Sequence, residues 1–292
     1  MAETAQPQNK KTKAAAKSAM RLDFATFLGI ALAVAGIVGG LLLEKGSIQD
    51  ITQGTALMIV MGGTFGAVLI TTPLPILVRA FKGLGAVFLE RTESTSAAIE
   101  TLVQFATKAR KNGIVSLETE AAAVTDPFLR KALNLAVDGT DLHELRKLME
   151  IDISLSEHAA EAEAKVWEAA GGYAPTIGII GAVMGLIQVM KHLEDIKEVG
   201  HGIAVAFVAT VYGVAAANIF FIPAANKLKA RMKEATLTKD MTLEGVIGIV
   251  EGLNPNLMRM KLESYNHAPI KVQKIKAAKA TGGSPKPASA EI

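Results

Sequence analysis

The sequence predicts an all-α membrane protein with four transmembrane helices and a helical cytoplasmic domain between the second and third spans. The first observation is that the apolar residues are concentrated in four stretches without any charged residue, at 24–43, 51–78, 169–190 and 202–226. Each stretch is long enough to cross a bilayer as a helix, which takes about 20 residues. The second observation is that strongly basic and weakly basic segments alternate between these stretches, which fits four spans and not three.

The basic residues predict the orientation of the spans. The N-terminal tail holds five Lys and Arg, the segment 79–168 holds eleven, and the region after residue 226 holds twelve. The loops at 44–50 and 191–201 hold only one and two. Since basic residues are retained on the cytoplasmic side, we expect both termini and the middle segment in the cytoplasm.

This topology divides the chain into five segments. They are a basic tail (1–21), a transmembrane hairpin (22–78), a cytoplasmic helical domain (79–168), the last two spans (169–226) and a cytoplasmic tail (227–292) that is disordered after about 270. Within them we expect spans near 24–43, 54–73, 169–190 and 202–223 and cytoplasmic helices at 94–111, 142–151 and 154–167. Pro73 and Pro75 mark the end of the second span, since a helix can stop at proline.

Small and basic residues suggest further contacts. Two glycine pairs with a spacing of four, Gly36 with Gly40 and Gly62 with Gly66, would each give a helix face suited to close packing. The basic run Lys227, Lys229, Arg231 and Lys233 is interpreted as a signal for cytoplasmic retention that also contacts lipid headgroups.

Several classes of function are excluded by what the sequence lacks. The chain has no cysteine, which excludes disulfides and thiolate metal sites. The middle segment has no Gly-rich phosphate loop, no histidine pair at metal spacing and no Ser/His/Asp arrangement. We therefore expect no enzyme, no metal, no cofactor and no nucleic-acid partner.

The last two spans carry polar residues but no acid. Pro175 and Pro223 each free a backbone carbonyl that must find another partner, and Thr210 lies near the middle of the fourth span. Proton movement through a bilayer needs an ionisable group inside it, and these spans offer none. Two interpretations remain open. Either the spans only anchor the cytoplasmic domain, or they line a path whose ionisable group belongs to another chain.

Four segments resemble the flagellar stator subunits of the MotA/PomA family, within the MotA/TolQ/ExbB proton-channel superfamily. The third and fourth spans read YAPTIGIIGAVMGLIQVM and HGIAVAFVATVYGVAAANIFFIPAANKLK. The first hairpin begins RLDFATFLGIALAVAGIVGG, and the cytoplasmic stretch FATKARKNGIVSLETE fits the family pattern A-x-x-x-R-x-x-G-x-x-x-L-E. The resemblance runs from about residue 21 to residue 251, with the segments in the expected order.

The resemblance implies an A subunit in the bacterial inner membrane. Five copies would surround a dimer of a MotB-like, peptidoglycan-binding B subunit, whose single span supplies the ion-carrying Asp. The cytoplasmic loop would turn the rotor through the protein FliG. Pro175 and Pro223 match the family's two channel-side prolines, and Thr210 matches the threonine that faces the B-subunit acid. Arg110 and Glu118 match the charged pair that contacts the rotor.

The coupling ion is expected to be the proton. Sodium-type members of the family carry a threonine in the third span where this chain has Ala182. A sodium ion needs several oxygen ligands, as other hard cations do, so the loss of a hydroxyl disfavours it. An ExbB/TolQ-type channel subunit that energises outer-membrane processes is the main alternative, and a plain membrane scaffold is the second. The first hairpin and the Arg110/Glu118 loop favour the stator.

Overall fold

The computed structural model describes residues 19–92 and 95–265. In chain order, the α-helices described are α1 (Phe24–Leu43), α2 (Gly54–Thr71), α3 (Leu74–Gly83), α4 (Gly85–Phe88), α5 (Thr95–Asn112), α6 (Glu118–Ala123), α7 (Pro127–Val137), α8 (Leu142–Lys191), α9 (Ile196–Ala215), α10 (Ile222–Val250) and α11 (Pro255–Glu263). Four helical stretches are long and apolar enough to cross a membrane, at Phe24–Leu43, Ile48–Thr71, and within Leu142–Lys191 and Ile196–Val250. The all-α fold with four spans is confirmed.

The first two spans differ in how they pack. Asp23 caps α1 by accepting a hydrogen bond from the Thr26 amide at 3.1 Å, but within the described chain α1 buries none of its residues. In contrast, α2 buries one face against α8 and α9. The buried residues of α2 recur every fourth position, as a helix face requires: Ala56, Val60, Thr64 and Val68. The span ends at Thr71, and Pro73 caps α3.

The 50-residue helix α8 corrects one prediction from the sequence. The expected helices at 142–151 and 154–167 and the third span at 169–190 are one continuous helix from Leu142 to Lys191. No glycine or proline interrupts 142–170, so nothing in that stretch opposes helix propagation. At 1.5 Å per residue the helix is roughly 75 Å long, far longer than a bilayer is thick. The span and the cytoplasmic domain therefore share one rigid element.

The cytoplasmic core corrects a second prediction. The region after residue 226 is not only a tail, because the end of α10 and α11 are buried in the same core as α5, α7 and the first turns of α8. Gly245 lies so close to α5 that an added Cβ would stand 2.7 Å from a methyl carbon of Leu102. The buried residues from the later part of the chain include Met241, Val246, Ile247, Met258 and Leu262. The predicted disorder after about 270 lies outside the described residues.

A short two-stranded ribbon was not predicted from the sequence. β1 (Ala19–Leu22) pairs antiparallel with β2 (Leu89–Thr92), with Leu22 opposite Leu89. The pairing continues one residue further, because the Asp23 amide donates to the Phe88 carbonyl at 2.9 Å. This ribbon brings the start of the first span next to the segment that follows α4.

Candidate functional site

The third and fourth spans, in α8 and α9, touch along a line of small residues. A Cβ added to Gly185 would stand 2.6 Å from the Gly202 carbonyl oxygen, and one added to Gly178 would stand 2.9 Å from that of Ala209. Real Cβ atoms do not approach backbone this closely, so only glycine fits. The other tightly packed glycines of this seam are Gly181, Gly202 and Gly213. Small residues allow such close approach between membrane helices.

The glycine pairs chosen from the sequence do not make such contacts. Among the described residues, no atom from elsewhere in the chain lies within 4 Å of a Cβ added to Gly36, Gly40, Gly62 or Gly66. The seam that does pack closely was missed, although its signal was present. Gly178, Gly181 and Gly185 are spaced three and four apart, which places them on one face of a helix.

Pro175 and Thr210 lie close to each other across this seam. Thr210 is half-buried on α9, and its Cα would be 3.4 Å from a Cβ on Gly178, which is one turn after Pro175. Its hydroxyl donates to the Ala206 carbonyl at 3.2 Å, so the lone pairs of Oγ1 remain available as acceptors. Pro175 is half-buried inside α8 and removes the hydrogen bond that the Gly171 carbonyl would otherwise accept. Pro175 thus leaves the Gly171 carbonyl without its helical partner two turns before Gly178, the residue that faces Thr210.

Ala182 lies on the same face of α8 as Pro175. The two residues are seven apart, or two helical turns, and Ala182 is half-buried. Large apolar side chains with exposed fractions of about one half or more share this face and the corresponding face of α9: Ile179, Leu186, Phe207 and Val214. Nothing in the described chain covers these side chains, which in a membrane would contact lipid or another apolar helix.

Pro223 lies in a different environment from Pro175 and Thr210. It is exposed and lines a cavity of about 320 Å³ between the first span and the start of α10. A π-helical turn, Ala216–Phe221, precedes it, and the Ile222 amide bonds the Ala217 carbonyl five residues back. Turns of this kind are frequent at functional sites. The segments that carry the two prolines touch where the Ile222 side chain packs on Gly171, because a Cβ on Gly171 would stand 2.5 Å from an Ile222 side-chain carbon.

Arg110 and Glu118 lie on either side of the turn between α5 and α6, which we call the tip. Gly113, with a φ of +80°, ends α5 and starts a tight turn that leads into α6. Lys108 and Glu120 form an ion pair across this turn, and the hydrogen bond from Lys108 lowers the pKa of Glu120. Arg110 and Glu118 are exposed and form no ion pair with any described residue. Neither Arg110 nor Glu118 is therefore engaged by an opposite charge within the described chain.

An aromatic cluster surrounds the cytoplasmic ends of the spans. Trp167 is 1% exposed and packs on Phe220 and Phe221 of the π-helical turn, with ring centroids 6.1 Å apart in each case. Its indole N–H donates to the Ala80 carbonyl at 3.3 Å. The π-helical turn is thereby held against α8 and α3. Sequence reasoning did not identify this role for the single tryptophan.

Comparisons with known proteins agree with this architecture. Residues 27–113 match the family model of the motility protein A N-terminal region, and residues 120–241 match that of the MotA/TolQ/ExbB proton channel family. Motility protein A of Helicobacter pylori is 38% identical over 84% of this chain and 95% of the relative.

Two solved structures are similar over most of their length. The C. jejuni MotAB structure has a TM-score of 0.81 at 32% identity and covers 87% of this chain and 100% of its own. The flagellar MotAB stator complex of Bacillus subtilis has a TM-score of 0.75 at 32% identity and covers 82% and 95%. The two family models, the relative and the two solved structures all indicate the same family. The chain therefore belongs to the MotA/PomA family of flagellar stator subunits, within the MotA/TolQ/ExbB proton channel family.

Proposed function

We propose that this chain is the A subunit of a flagellar motor stator, which conducts ions across the inner membrane with a B subunit and converts their flow into torque on the rotor. The observation that carries the proposal is the helix pair α8 and α9. Thr210 lies opposite Gly178, one turn after Pro175, on a face that is otherwise apolar and has no cover in the described chain. The apolar stretches of these two helices, 169–190 and 202–215, contain no carboxylate. A MotB-like partner span that supplies one Asp would complete an ion path there. The chain itself is not an enzyme.

The large exposed side chains beside Ala182 and Thr210 support an assembly of several chains. Apolar residues such as Phe207, which is 72% exposed, gain nothing specific from lipid. They can pack against neighbouring helices instead. We infer a pentamer of this subunit around a dimer of the peptidoglycan-binding B subunit. Both termini and the α5–α7 region lie in the cytoplasm, as the basic segments favour.

The proton is the proposed coupling ion. Ala182 presents a methyl group where a hydroxyl would be needed to help replace the water shell of Na⁺. A proton requires only the partner carboxylate and a chain of water. Swimming speed in sodium-free medium should equal that in sodium-containing medium of the same ionic strength. Complete loss of motility without sodium would overturn this assignment.

Thr210→Val tests the ion path itself. The change removes the hydroxyl and keeps the shape, so we expect at least a threefold loss of swimming speed with normal amounts of protein in the membrane. Thr238→Val is the matched control, because Thr238 makes the same kind of bond to a carbonyl four residues back, at 3.0 Å, in the cytoplasmic part of α10. Full motility of both Thr210→Val and Pro175→Ala at normal assembly would favour a plain scaffold.

Arg110 and Glu118 form the proposed contact with the rotor protein FliG. Both are exposed, so reversal of one charge should change stability little, while charge complementarity at an interface would be lost. Arg110→Glu should lower torque without loss of assembly, most strongly at low ionic strength. Equal torque of this variant and the unmodified stator would contradict the assignment.

An ExbB/TolQ-type subunit is the less favoured alternative. The match of residues 27–113 to the motility protein A N-terminal family and the four-span arrangement both favour the stator. Motility of a strain that lacks its own A subunit, restored by this chain together with its B subunit, would separate the two. Restored outer-membrane energisation without restored motility would favour the alternative.

A further inference from the structure

A half-buried ionic cluster lies at the cytoplasmic end of the first span, where sequence reasoning expected cytoplasmic retention and contacts with lipid headgroups. The Asp23 side chain is 12% exposed and pairs with Lys227 and Arg231 of α10, the latter at 3.0 Å. Lys229, between them, instead pairs with Glu168 of α8 at 2.6 Å. Three of the four basic residues of this run therefore pair with carboxylates, whereas Lys233 is exposed.

The cluster joins three separate parts of the chain. Lys227 also donates to the hydroxyl of Thr26 in α1, and Arg231 also donates to the Leu89 carbonyl of β2. The Asp23 amide closes the arrangement from the other side through its bond to the Phe88 carbonyl. The first turn of α1, the start of β2 and the first turns of α10 are thus connected by charge-assisted hydrogen bonds, which are the stronger kind.

The first span is tied to β2 and α4 at this end by the ribbon and by the Phe27–Phe88 ring contact at 5.5 Å, but these contacts do not involve α10. It buries none of its residues within the described chain, and hydrophobic burial does not drive helices together in lipid. Between it and the start of α10 lies the cavity of about 320 Å³, lined by Gly29, Ala33 and Pro223 among others. Close packing therefore does not fix α1 to α10 beside the cavity. The ionic cluster is the contact that holds these two helices together there.

The position of the cluster on α10 relates it to the place where that helix can bend. Lys227 and Arg231 follow Pro223 by four and eight residues, so they occupy the same face in the first turns after the proline. The π-helical turn and the missing proline N–H make the preceding segment the weakest part of the helix. Any change of angle there displaces Lys227 and Arg231, and whatever is bound to them moves as well.

We propose that Asp23 is a positioning residue, which clamps the first span to α10 through Lys227 and Arg231 so that both move as one unit when α10 bends at Pro223. The inference rests on the proposed stator function and adds a role for the peripheral span. The clamp transmits the movement at Pro223 to α1, where otherwise the cavity would absorb it. The carboxylate stays charged throughout, since the hydrogen bond from Lys227 is the main cause that lowers the pKa of Asp23 to about 2.

Two substitutions separate the clamp from simple helix capping. Asp23→Asn removes the charge but keeps a good N-cap, because Asn and Asp cap helices equally well. Lys227→Met removes the matching cation. We expect each to lower swimming speed at least threefold with normal assembly, and the double variant to be no worse than the single ones, as required for residues that act as a unit. Glu168→Gln, which removes the Lys229 pair, is the control and should keep full speed.

A second measurement reports the position of the first span directly. The chain has no cysteine, so Ala25→Cys with Ala224→Cys, both of which line the cavity, gives one defined pair for a short thiol cross-linker. We expect Asp23→Asn to change the cross-linking rate of this pair at least threefold. An unchanged rate overturns the clamp, and so does a changed rate with full swimming speed.

The remaining outcomes are also decisive. If Lys227→Met impairs motility and Asp23→Asn does not, Lys227 acts on an outside partner and the clamp is refuted. Pro223→Ala and Thr210→Val distinguish this failure from that of the proposed function. If those two variants are impaired and Asp23→Asn is not, only the clamp fails. If all of them keep full speed, the stator function fails as well.

Discussion

Gly185→Ala should loosen the contact between the third and fourth spans. The added methyl group would stand 2.6 Å from the Gly202 carbonyl oxygen, 2.8 Å from the Ala206 nitrogen and 3.0 Å from its Cα. All three are backbone atoms, so no side-chain rotation can relieve the overlap. The helices must separate by roughly 0.8 Å to reach an ordinary contact of 3.4 Å.

Two opposing effects determine the size of the loss. Alanine is better than glycine in a helix by up to about 1 kcal/mol. Overpacking typically costs about 1–3 kcal/mol, and a gap of this size forfeits about a quarter to a half of the dispersion energy of every contact it opens. The seam contains several further glycine contacts that open together. We expect a net destabilisation of about 1–2 kcal/mol, or a fall in apparent Tm of about 2–8 °C at about 2–4 °C per kcal/mol.

The assay is thermal unfolding of the purified subunit with its B partner in detergent, followed by fluorescence of Trp167, the only tryptophan of this chain. Gly172→Ala is the matched control on the same helix, because no atom from elsewhere in the described chain lies within 4 Å of its added Cβ. It should leave Tm unchanged or raise it. A Gly185→Ala variant as stable as this control would refute the account of the seam.

Three further predictions concern named contacts. Trp167→Phe loses the hydrogen bond to the Ala80 carbonyl and leaves a cavity. Unfolding followed by circular dichroism should therefore show that the free energy of unfolding falls by about 1–3 kcal/mol. No change would mean that the indole is replaceable. Burial and nearby carboxylates, among them Glu244 one turn away, raise the pKa of Asp240, so its charge opposes folding at neutral pH and less so in acid. Asp240→Asn should therefore raise stability at pH 7 by a few tenths of a kcal/mol, and an equal gain in acid would contradict this. Because the pKa of Asp23 is lowered to about 2, its charge adds about 2 kcal/mol at most to the free energy of unfolding. This contribution is present above pH 4 and should be lost as pH falls towards 2. Asp23→Asn should show no such loss.

The spans could be predicted because a helix that crosses lipid needs a long apolar stretch. The helix α8 shows that such a stretch does not predict where a helix begins or ends. The change from amphipathic to fully apolar sequence at Ala169 marks a change of surroundings. The helix itself does not end there, and it continues through Gly171, Gly172 and Pro175 just beyond the boundary. A change in hydropathy thus reports the environment of a helix and not its ends.

Contacts between distant segments were the part that the sequence could not provide. Met241 and Ile247 form a plausible helix by themselves, but their burial against α5 depends on residues more than 100 positions earlier. The Asp23 clamp could not be predicted either, because a single carboxylate before an apolar helix is typical of an ordinary N-cap. Of the site residues, the pairing of Pro175 with Thr210 follows from the glycine spacing, whereas the orientation of Pro223 towards the first span depends on the π-helical turn.

The helices that carry the proposed ion path also continue into the cytoplasmic domain, and this gives the chain a direct mechanical connection. α10 leaves the membrane after Pro223 and is joined to α8 by the ion pair of Glu244 with Arg146 at 2.8 Å. Further along, Gly245 admits the Leu102 side chain of α5, the helix that ends at the exposed tip. Since packed interiors resist compression, a change of angle at Pro223 cannot be absorbed between these elements. We expect it to appear instead as a displacement of the tip that presents Arg110.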